Sequence, residues 1–338
     1  MIPNKKIKTV VVTGGMGFIG SNFLMKCCKD FSNIEFINID NLSYAVSKNT
    51  QEQLKNFSNY QFFNIDICDY SSLNNLIKSI NPSLIVHFAA ESHVDNSIDS
   101  PLKFINTNIV GTYNLLNVTR ELHDKGDDIL FHHISTDEVY GSLGLDEDSF
   151  TEESNLSPSS PYSASKASSD LLVEAWGKTY GIKYLITNCS NNFGPRQYHE
   201  KLIPKVILNC INSIQIPVYG SGSNIRDWLY VDDHVDAILS LYHKSLFQNT
   251  RFNIGGGYEA SNLEVINIIL DILDSKYGYH KSKDLISYVD DRKGHDLRYS
   301  IDYSKIKNST GWSPRSDFKE RLNKTIEWYL ENKNWWES

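Results

Sequence analysis

Thr9-Val-Val-Val-Thr-Gly-Gly-Met-Gly-Phe-Ile-Gly20 is the stretch that decides the fold: a short β-branched run that breaks into glycines at 14, 15, 17 and 20. A strand of this kind, turned sharply into a helix, presents free backbone N–H groups and the positive end of a helix dipole to an anion. Glycines permit the tight turn and let a diphosphate approach the backbone. The spacing, GxxGxxG through Gly14, Gly17 and Gly20, differs from the common GxGxxG, and a Gly-rich turn also serves plain chain reversal. Context supports the dinucleotide reading. Asp40 closes the second apolar run 20 residues after Gly20, where a carboxylate accepts both hydroxyls of an adenosine ribose. The residues that follow, Asn41-Leu42-Ser43-Tyr44, offer no Arg for a 2′-phosphate, which favours NAD over NADP.

Working outward, short β-branched runs at Thr9–Val12, Ile34–Ile39, Gln61–Ile65, Leu84–Phe88, Ile129–Ile134 and Tyr184–Thr187 alternate with helical patterns. That alternation predicts an α/β protein: a Rossmann-type doubly wound parallel sheet covered on both faces. Helices are predicted over Pro101–His123 and Ala164–Tyr180, the second ended by Gly181. After Asn191 the pattern changes to short strands, Gly-rich turns and helices at Leu202–Asn212, Asp233–Lys244, Ser261–Lys276 and Phe318–Asn332. A smaller mixed α/β C-terminal substrate lobe is expected there. The predicted division is 1–190 for NAD and 191–338 for substrate, interleaved and without a Pro/Ser-rich linker, with the ligand in the cleft between them.

The 338 residues are 40% hydrophobic and 22% charged, ordinary values for a folded soluble protein. A net charge of -8 with no basic run argues against a nucleic-acid binder. Five cysteines, none in a CxxC pair, suggest neither a disulfide framework nor a zinc knuckle. The N-terminus reaches glycine too early for a signal-peptide core, and no apolar run is long enough to span a membrane. A cytoplasmic protein is expected.

Tyr162-Ser-Ala-Ser-Lys166 puts a phenol and an amine on one face of a helix. Using a tyrosine of ordinary pKa near 10 as a base at pH 7 needs about 4 kcal/mol of differential stabilisation. Lys166 and an oxidised nicotinamide are the two positive charges expected to supply it. Ser135-Thr-Asp-Glu-Val-Tyr-Gly141 closes the fifth strand, where open parallel sheets place ligands. In a regular strand Asp137 and Glu138 face opposite ways, so both reach one substrate only if the chain turns there. Adjacent carboxylates in a closed site cannot both ionise cheaply, which leaves an acid beside a base. The same residues also suit a helix N-cap.

Together with HFAAESHVDNSI at 87–98, TNCSNNFGP at 187–195, EKLIPKVI at 200–207, IRDWLYVDDH at 225–234, FNIGG at 252–256, GHDLRYSID at 294–302 and TIEWYL at 325–330, these motifs resemble the extended short-chain dehydrogenase/reductase superfamily. Within it the chain is similar to the nucleoside-diphosphate-glucose 4,6-dehydratases over nearly its whole length. The resemblance implies a lyase with an internal NAD redox cycle. Tyr162 takes the C4 hydroxyl proton while hydride leaves C4, and Thr136 bonds the oxygen. Glu138 then removes the C5 proton, Asp137 protonates the departing C6 hydroxyl, and hydride returns to C6, as in rhamnose-type deoxysugar synthesis. It also implies cofactor contacts at Gly14, Gly17, Phe18, Ile19, Gly20, Asp40, Asn41, Leu42, Ser43, Asp66, Ile67, Ala89, Ala90, Thr107, Tyr162 and Lys166. Substrate contacts are implied at Ser92, Thr136, Asn191, Lys201, Leu202, Tyr219, Arg226, Asn262, Arg292 and His295, with Arg226 and Arg292 on the diphosphate. A homodimer through the helices 101–123 and 164–180 is implied by analogy.

The segment Gly194–Lys201 and Lys205 depart from the usual bacterial wording, Gln197 and Lys205 looking closer to eukaryotic UDP-glucose dehydratases, while NCSNNFGP and IRDWLYV look bacterial; dTDP-glucose and UDP-glucose both stand as substrates, with dTDP slightly ahead. The alternatives are a sugar-nucleotide 4-epimerase or decarboxylase, or a non-catalytic NAD-binding regulator. No metal site is expected, since His132 and His133 lack a third ligand at suitable spacing. Cys189 reads as a small buried hydrophobe, and Trp335-Trp336 as a C-terminal docking contact or a partner site.

Overall fold

The computed structural model describes residues 7–280, 282–315 and 317–336, so the part of the N-terminal reading that rests on residues 1–6 lies outside them. Six β-branched runs form the strands β1 (Thr9–Thr13), β2 (Glu35–Asp40), β3 (Tyr60–Asn64), β4 (Leu84–His87), β5 (Leu130–Thr136) and β6 (Lys183–Cys189). Three more belong to the lobe beyond, β7 (Asn191–Phe193), β8 (Ile216–Tyr219) and β9 (Ile225–Tyr230). A further strand, β10 (Thr250–Ile254), returns to the first unit. The sheet order is β10-β6-β5-β4-β1-β2-β3, parallel throughout. Strand order reverses between β1 and β4, and the crevice at their C-terminal ends is where such sheets hold ligands.

Both faces of the sheet are covered, which explains why the strands read as nearly continuous apolar runs. Val10, Val12 and Phe36 pack on one side with Phe23 and Leu24 of the helix Phe18–Asp30. Val11, Ile37 and Ile85 pack on the other with Leu115, Leu116 and Val173. β10 and the helix Val231–His243 lie beyond residue 190 yet belong to this layer. β7, at Asn191–Phe193, pairs with β9 in a separate sheet, and residues 231–254 cross back.

The second lobe closes over a separate core. β9 pairs parallel with β7 and antiparallel with β11 (Glu259–Ser261), while β8 pairs with β12 (Ile286–Val289). Helices Leu202–Ile211, Asn262–Tyr277 and Phe318–Glu331 bury Ile207, Ile269 and Ile326 against it. The chain then ends on the first unit: Trp335 is buried, its indole N–H donates to Thr50 Oγ1 at 2.9 Å, and Asn49 Nδ2 donates to Asn334 O at 2.7 Å. The docking reading of Trp335 is the one observed.

Two helices differ from the sequence expectation in ways that matter to the cleft. The helix predicted to start at Ala164 begins at Pro161, because Ser160 caps it: Ser160 Oγ accepts from Ser163 N, Ser163 Oγ accepts from Ser160 N, and Pro161 takes the first position. Tyr162 is thereby fixed in the first turn. The helix over 101–123 contains a π-helical turn at Ile105–Val110, a feature that recurs at functional sites. Its Asn108 is buried, accepts from Glu91 N at 2.8 Å, and donates to Glu91 O at 3.0 Å and Ser165 Oγ at 2.8 Å. It ties the segment after β4 to the helix that carries Tyr162 and Lys166.

Trp335→Ala is expected to destabilise the protein by about 3–5 kcal/mol, the range for emptying a buried aromatic site. Equilibrium urea unfolding measures it; a loss under about 1 kcal/mol would mean that the C-terminus contributes little to joining the two units.

Candidate active site

The glycine turn is built by close packing. Gly14 has φ 72°, and a Cβ there would stand 2.4 Å from Ala89 N and 2.8 Å from Phe88 C. At Gly20 a Cβ would stand 2.4 Å from Gly14 O. Gly17 caps the helix Phe18–Asp30 without any side-chain cap bond, so the first amides of that helix face the crevice without a side-chain acceptor. Asp40 stands beside them, its two carboxylate oxygens accepting from Met16 N and Leu42 N at 2.9 Å each. Burial raises its pKa. Around this turn runs a cavity of about 310 Å³, lined by Gly14, Gly17, Phe18, Ile19, Gly20, Asp40, Asn41, Ser43, Ile67, Ala89, Ala90, Thr107, Tyr162 and Lys166. Two expected contacts do not line it. Leu42, at φ 53°, packs into the core, and Asp66 is turned to Asn41 Nδ2 at 3.1 Å and Cys68 N at 2.8 Å.

The end of β5 supplies the acid pair. A single 3₁₀ turn, Asp137–Tyr140, follows Thr136, whose hydroxyl accepts from Glu138 N at 3.3 Å and donates to Asp137 Oδ1 at 3.2 Å. The chain turns where two adjacent carboxylates must share a site, and the same Thr136 is the N-cap of that turn. Asp137 and Glu138 both line the cavity. Burial, then the neighbouring Glu138, hold Asp137 well above the ordinary carboxylate range, and burial also raises Glu138. Asp137 Oδ2, Ser135 Oγ and Asn191 Oδ1 are buried without a partner. Unsatisfied polar atoms around a cavity mark where a ligand's groups belong.

Tyr162 and Lys166 lie one helical turn apart on the helix from Pro161. Burial, then Glu138, raise the Tyr162 phenol well above its ordinary value, with a Thr136 hydrogen bond opposing. The Lys166 ammonium donates to Ile134 O at 2.9 Å and approaches His133 Nε2 at 3.3 Å, rather than lowering the phenol by direct contact. Cys189 is buried with its thiol pushed up to about 12, an inert neighbour. His132 is satisfied by Tyr242 OH and Thr187 Oγ1, and no group of three potential metal ligands occurs among the described residues.

A second cavity, of about 190 Å³, joins the first through shared lining residues Ser92, Glu138, Asn191, Glu200 and Lys201. Leu202, Tyr219, Arg226, Asn262, Arg292 and His295 line it, as expected from sequence; Thr136 faces the first cavity instead. Arg226 is buried, donates to Ile225 O and Asp296 O, and stacks 4.3 Å from the Tyr299 ring centre. Arg292 stands 5.4 Å from the Tyr219 ring and pairs across the cleft with Asp95, Nη2 to Oδ2 at 3.0 Å. The sequence reading missed Asp95, Glu200, Asp296 and Tyr299. All four lay inside quoted motifs; for Asp95, Asp296 and Tyr299 the signal was the acidic or aromatic partner that a buried arginine needs.

The arrangement matches a known family. Residues 11–325 fit the model described as GDP-mannose 4,6 dehydratase. The chain belongs to this family. It is 48% identical to the dTDP-glucose 4,6-dehydratase of Escherichia coli over 97% of this chain and 95% of that one. Among solved structures it resembles the dTDP-glucose 4,6-dehydratase of Streptomyces venezuelae with NAD and TYD bound, at 41% identity and a TM-score of 0.88, covering 97% and 99% of the two chains. The Bacillus anthracis enzyme in complex with NAD is similar at 41% identity and a TM-score of 0.87, covering 98% and 99%.

The glycine cradle, the open helix N-terminus and Asp40 together fit NAD. Gly20→Ala is expected to weaken NAD binding at least about tenfold, since the new methyl displaces the backbone of Gly14. Calorimetric titration reads this; unchanged affinity would place the diphosphate elsewhere.

Proposed function

We propose that this chain is a nucleoside-diphosphate-glucose 4,6-dehydratase, an NAD-dependent hydro-lyase that converts dTDP-glucose to dTDP-4-keto-6-deoxyglucose with loss of water. The observation that carries the reading is the turn after β5. It brings Asp137, raised well above its ordinary pKa, and Glu138 to the same cavity as Tyr162. An epimerase needs no such acid and base for eliminating water, and a non-catalytic regulator needs neither. The named relatives support the same choice.

Each residue has a task its chemistry suits. Thr136 hydrogen-bonds the C4 oxygen and Tyr162 takes the hydroxyl proton, aided by the positive charge of Lys166. Glu138 removes the C5 proton, made acidic by the adjacent ketone. Asp137 protonates the C6 hydroxyl, which departs as water. NAD, when bound, supplies the hydride acceptor at C4 and the donor at C6, so no net oxidation results. Arg226 and Arg292 grip the diphosphate, and Arg292 exchanges its Asp95 partner for phosphate oxygens. Lys201, held by its bond to Ser92 O at 2.7 Å, joins the two cavities where the sugar would sit.

The nucleotide is the finer question. Thymine and uracil differ by one methyl, worth about 1–3 kcal/mol in an apolar pocket. Pro217, Val218 and Ile266 line the substrate cavity and suit that methyl, which favours dTDP. Two copies pair through the helices at 101–123 and 161–180, where Leu102, Tyr113 and Leu171 stand exposed. The chain works in the cytoplasm, which suits five cysteines that are all free. No helix among the described residues is long and apolar enough to cross a membrane.

Incubation with dTDP-glucose and UDP-glucose tests the reading through the alkali-induced absorbance of a 4-keto-6-deoxy product. Conversion of both is expected, with kcat/KM about tenfold or more higher for dTDP-glucose. Asp137→Asn should lower kcat at least about a hundredfold with little change in KM. A 4-epimer as product, or no turnover of either, would contradict the assignment. Sedimentation as a monomer would remove the dimer.

A further inference from the structure

Behind the Tyr162–Lys166 pair lies a buried charge cluster that the reaction itself does not use. Asp170 follows Lys166 by one turn of the same helix and is fully buried, as is His133 on β5. His133 Nε2 stands 3.3 Å from Lys166 Nζ and 3.4 Å from Asp170 Oδ1. The other Asp170 oxygen accepts from Arg251 Nη1 at 2.7 Å and Asn188 Nδ2 at 3.2 Å. Asn188 Nδ2 also donates to Thr136 O at 2.9 Å, and Arg251 continues to Glu174 at 3.0 Å. One carboxylate thus touches the supports of both Lys166 and the Thr136 turn.

We propose that Asp170 is a positioning residue for the dehydration: through His133 and Asn188 it keeps Lys166 charged and aimed at the cleft while holding the Thr136 turn beside it. The inference rests on the functional reading above and names a residue which that reading leaves without a task. Buried amines lose their charge unless an anion is near. The groups that face Lys166 are His133 on β5, His87 on β4, Cys189 on β6 and Asp170 on its own helix, with Tyr162 one turn before Lys166; Arg251 and Glu174 stand behind Asp170. Both histidines are lowered by burial, His133 to about 4, and the Cys189 thiol is pushed up to about 12, so these stay neutral. Burial pushes the Asp170 carboxyl up, but the His133 ring beside it and the Arg251 charge outweigh that and keep it ionised. Asp170 is therefore the anion that faces the ammonium among the described residues. Even so, burial brings Lys166 down to about 8, within reach of neutral pH. Oδ1 of Asp170 has no full hydrogen bond, which fits a carboxylate placed for its charge as well as for its contacts.

Asp170→Asn keeps the shape and removes the charge. Lys166 is titrated by NMR of protein labelled with 13C at the lysine ε-carbon, its signal assigned by absence in Lys166→Met. The Lys166 midpoint is expected to fall by about one pH unit or more in Asp170→Asn, with kcat lost near pH 8 and partly regained at lower pH. If Asp170→Asn does not fold, Asp170→Asn/Arg251→Gln also removes the arginine charge that the single change strands, and is compared with Arg251→Gln alone; the same downward shift is expected. An unchanged midpoint with kcat reduced equally at every pH would overturn the proposal and leave Asp170 a part of the framework. A wild-type protein that turns over no sugar nucleotide, yet shows the Lys166 shift, would support the charge-setting role while contradicting the functional reading.

Discussion

The approach of the Gly14 backbone to Phe88 and Ala89 is the contact on which the cleft depends. β1 and β4 are neighbours in the sheet, and the chain leaves each of them toward opposite sides, so their exits pass too close for a Cβ at Gly14, which would stand 2.4 Å from Ala89 N. That closeness aims the open N-terminus of the helix Phe18–Asp30 across the crevice and fixes where a diphosphate can sit. Every other functional group is positioned relative to it. β5 ends one strand away and delivers Thr136, Asp137 and Glu138, while the helix from Pro161 lays Tyr162 and Lys166 against them.

Burial then sets the electrostatics. Water kept out of the cleft raises Asp137 well above its ordinary value, while Arg226, Lys201 and Arg292 oppose the rise that burial causes at Glu138, which sets an acid beside a base. The cations that offset the carboxylates come from the second lobe. Arg226 and Arg292 are each held by partners on that lobe or across the cleft, which keeps positive charge at the second cavity of an otherwise acidic protein. Because β10 and the C-terminal Trp335 both return to the first unit, the two halves of the site are held together at two separate places.

Much of this was legible in the residues. The six strand runs, the glycine turn and the acid pair are local patterns with a physical cause: period, turn geometry and like-charge repulsion. Of the ten substrate contacts that the motif resemblance implied, all but Thr136 line the second cavity. What the sequence hid is non-local. The return of β10 to the first sheet depends on pairing with β6, which no window of residues around Thr250–Ile254 records. The π turn at Ile105–Val110 leaves the helical pattern of apolar residues intact, and its reason, Asn108 reaching Glu91 and Ser165, lies in other elements. Likewise Leu42 and Asp66 sit beside residues that line the cavity, and only their turns point them away. The partners of the Lys166 ammonium, Ile134 O and His133 on β5, are equally non-local and leave no mark in the residues around Lys166.

The central claim is that Glu138 removes a proton from C5 during the loss of water from C6. Turnover of dTDP-glucose in deuterium oxide, with the product examined by proton NMR, tests it most directly. The account predicts a 4-keto-6-deoxy sugar that carries solvent deuterium at C5, with the hydrogen originally on C4 found on C6. A product that retains its C5 proton and its C6 hydroxyl would contradict it, since the acid pair would then take no part in elimination.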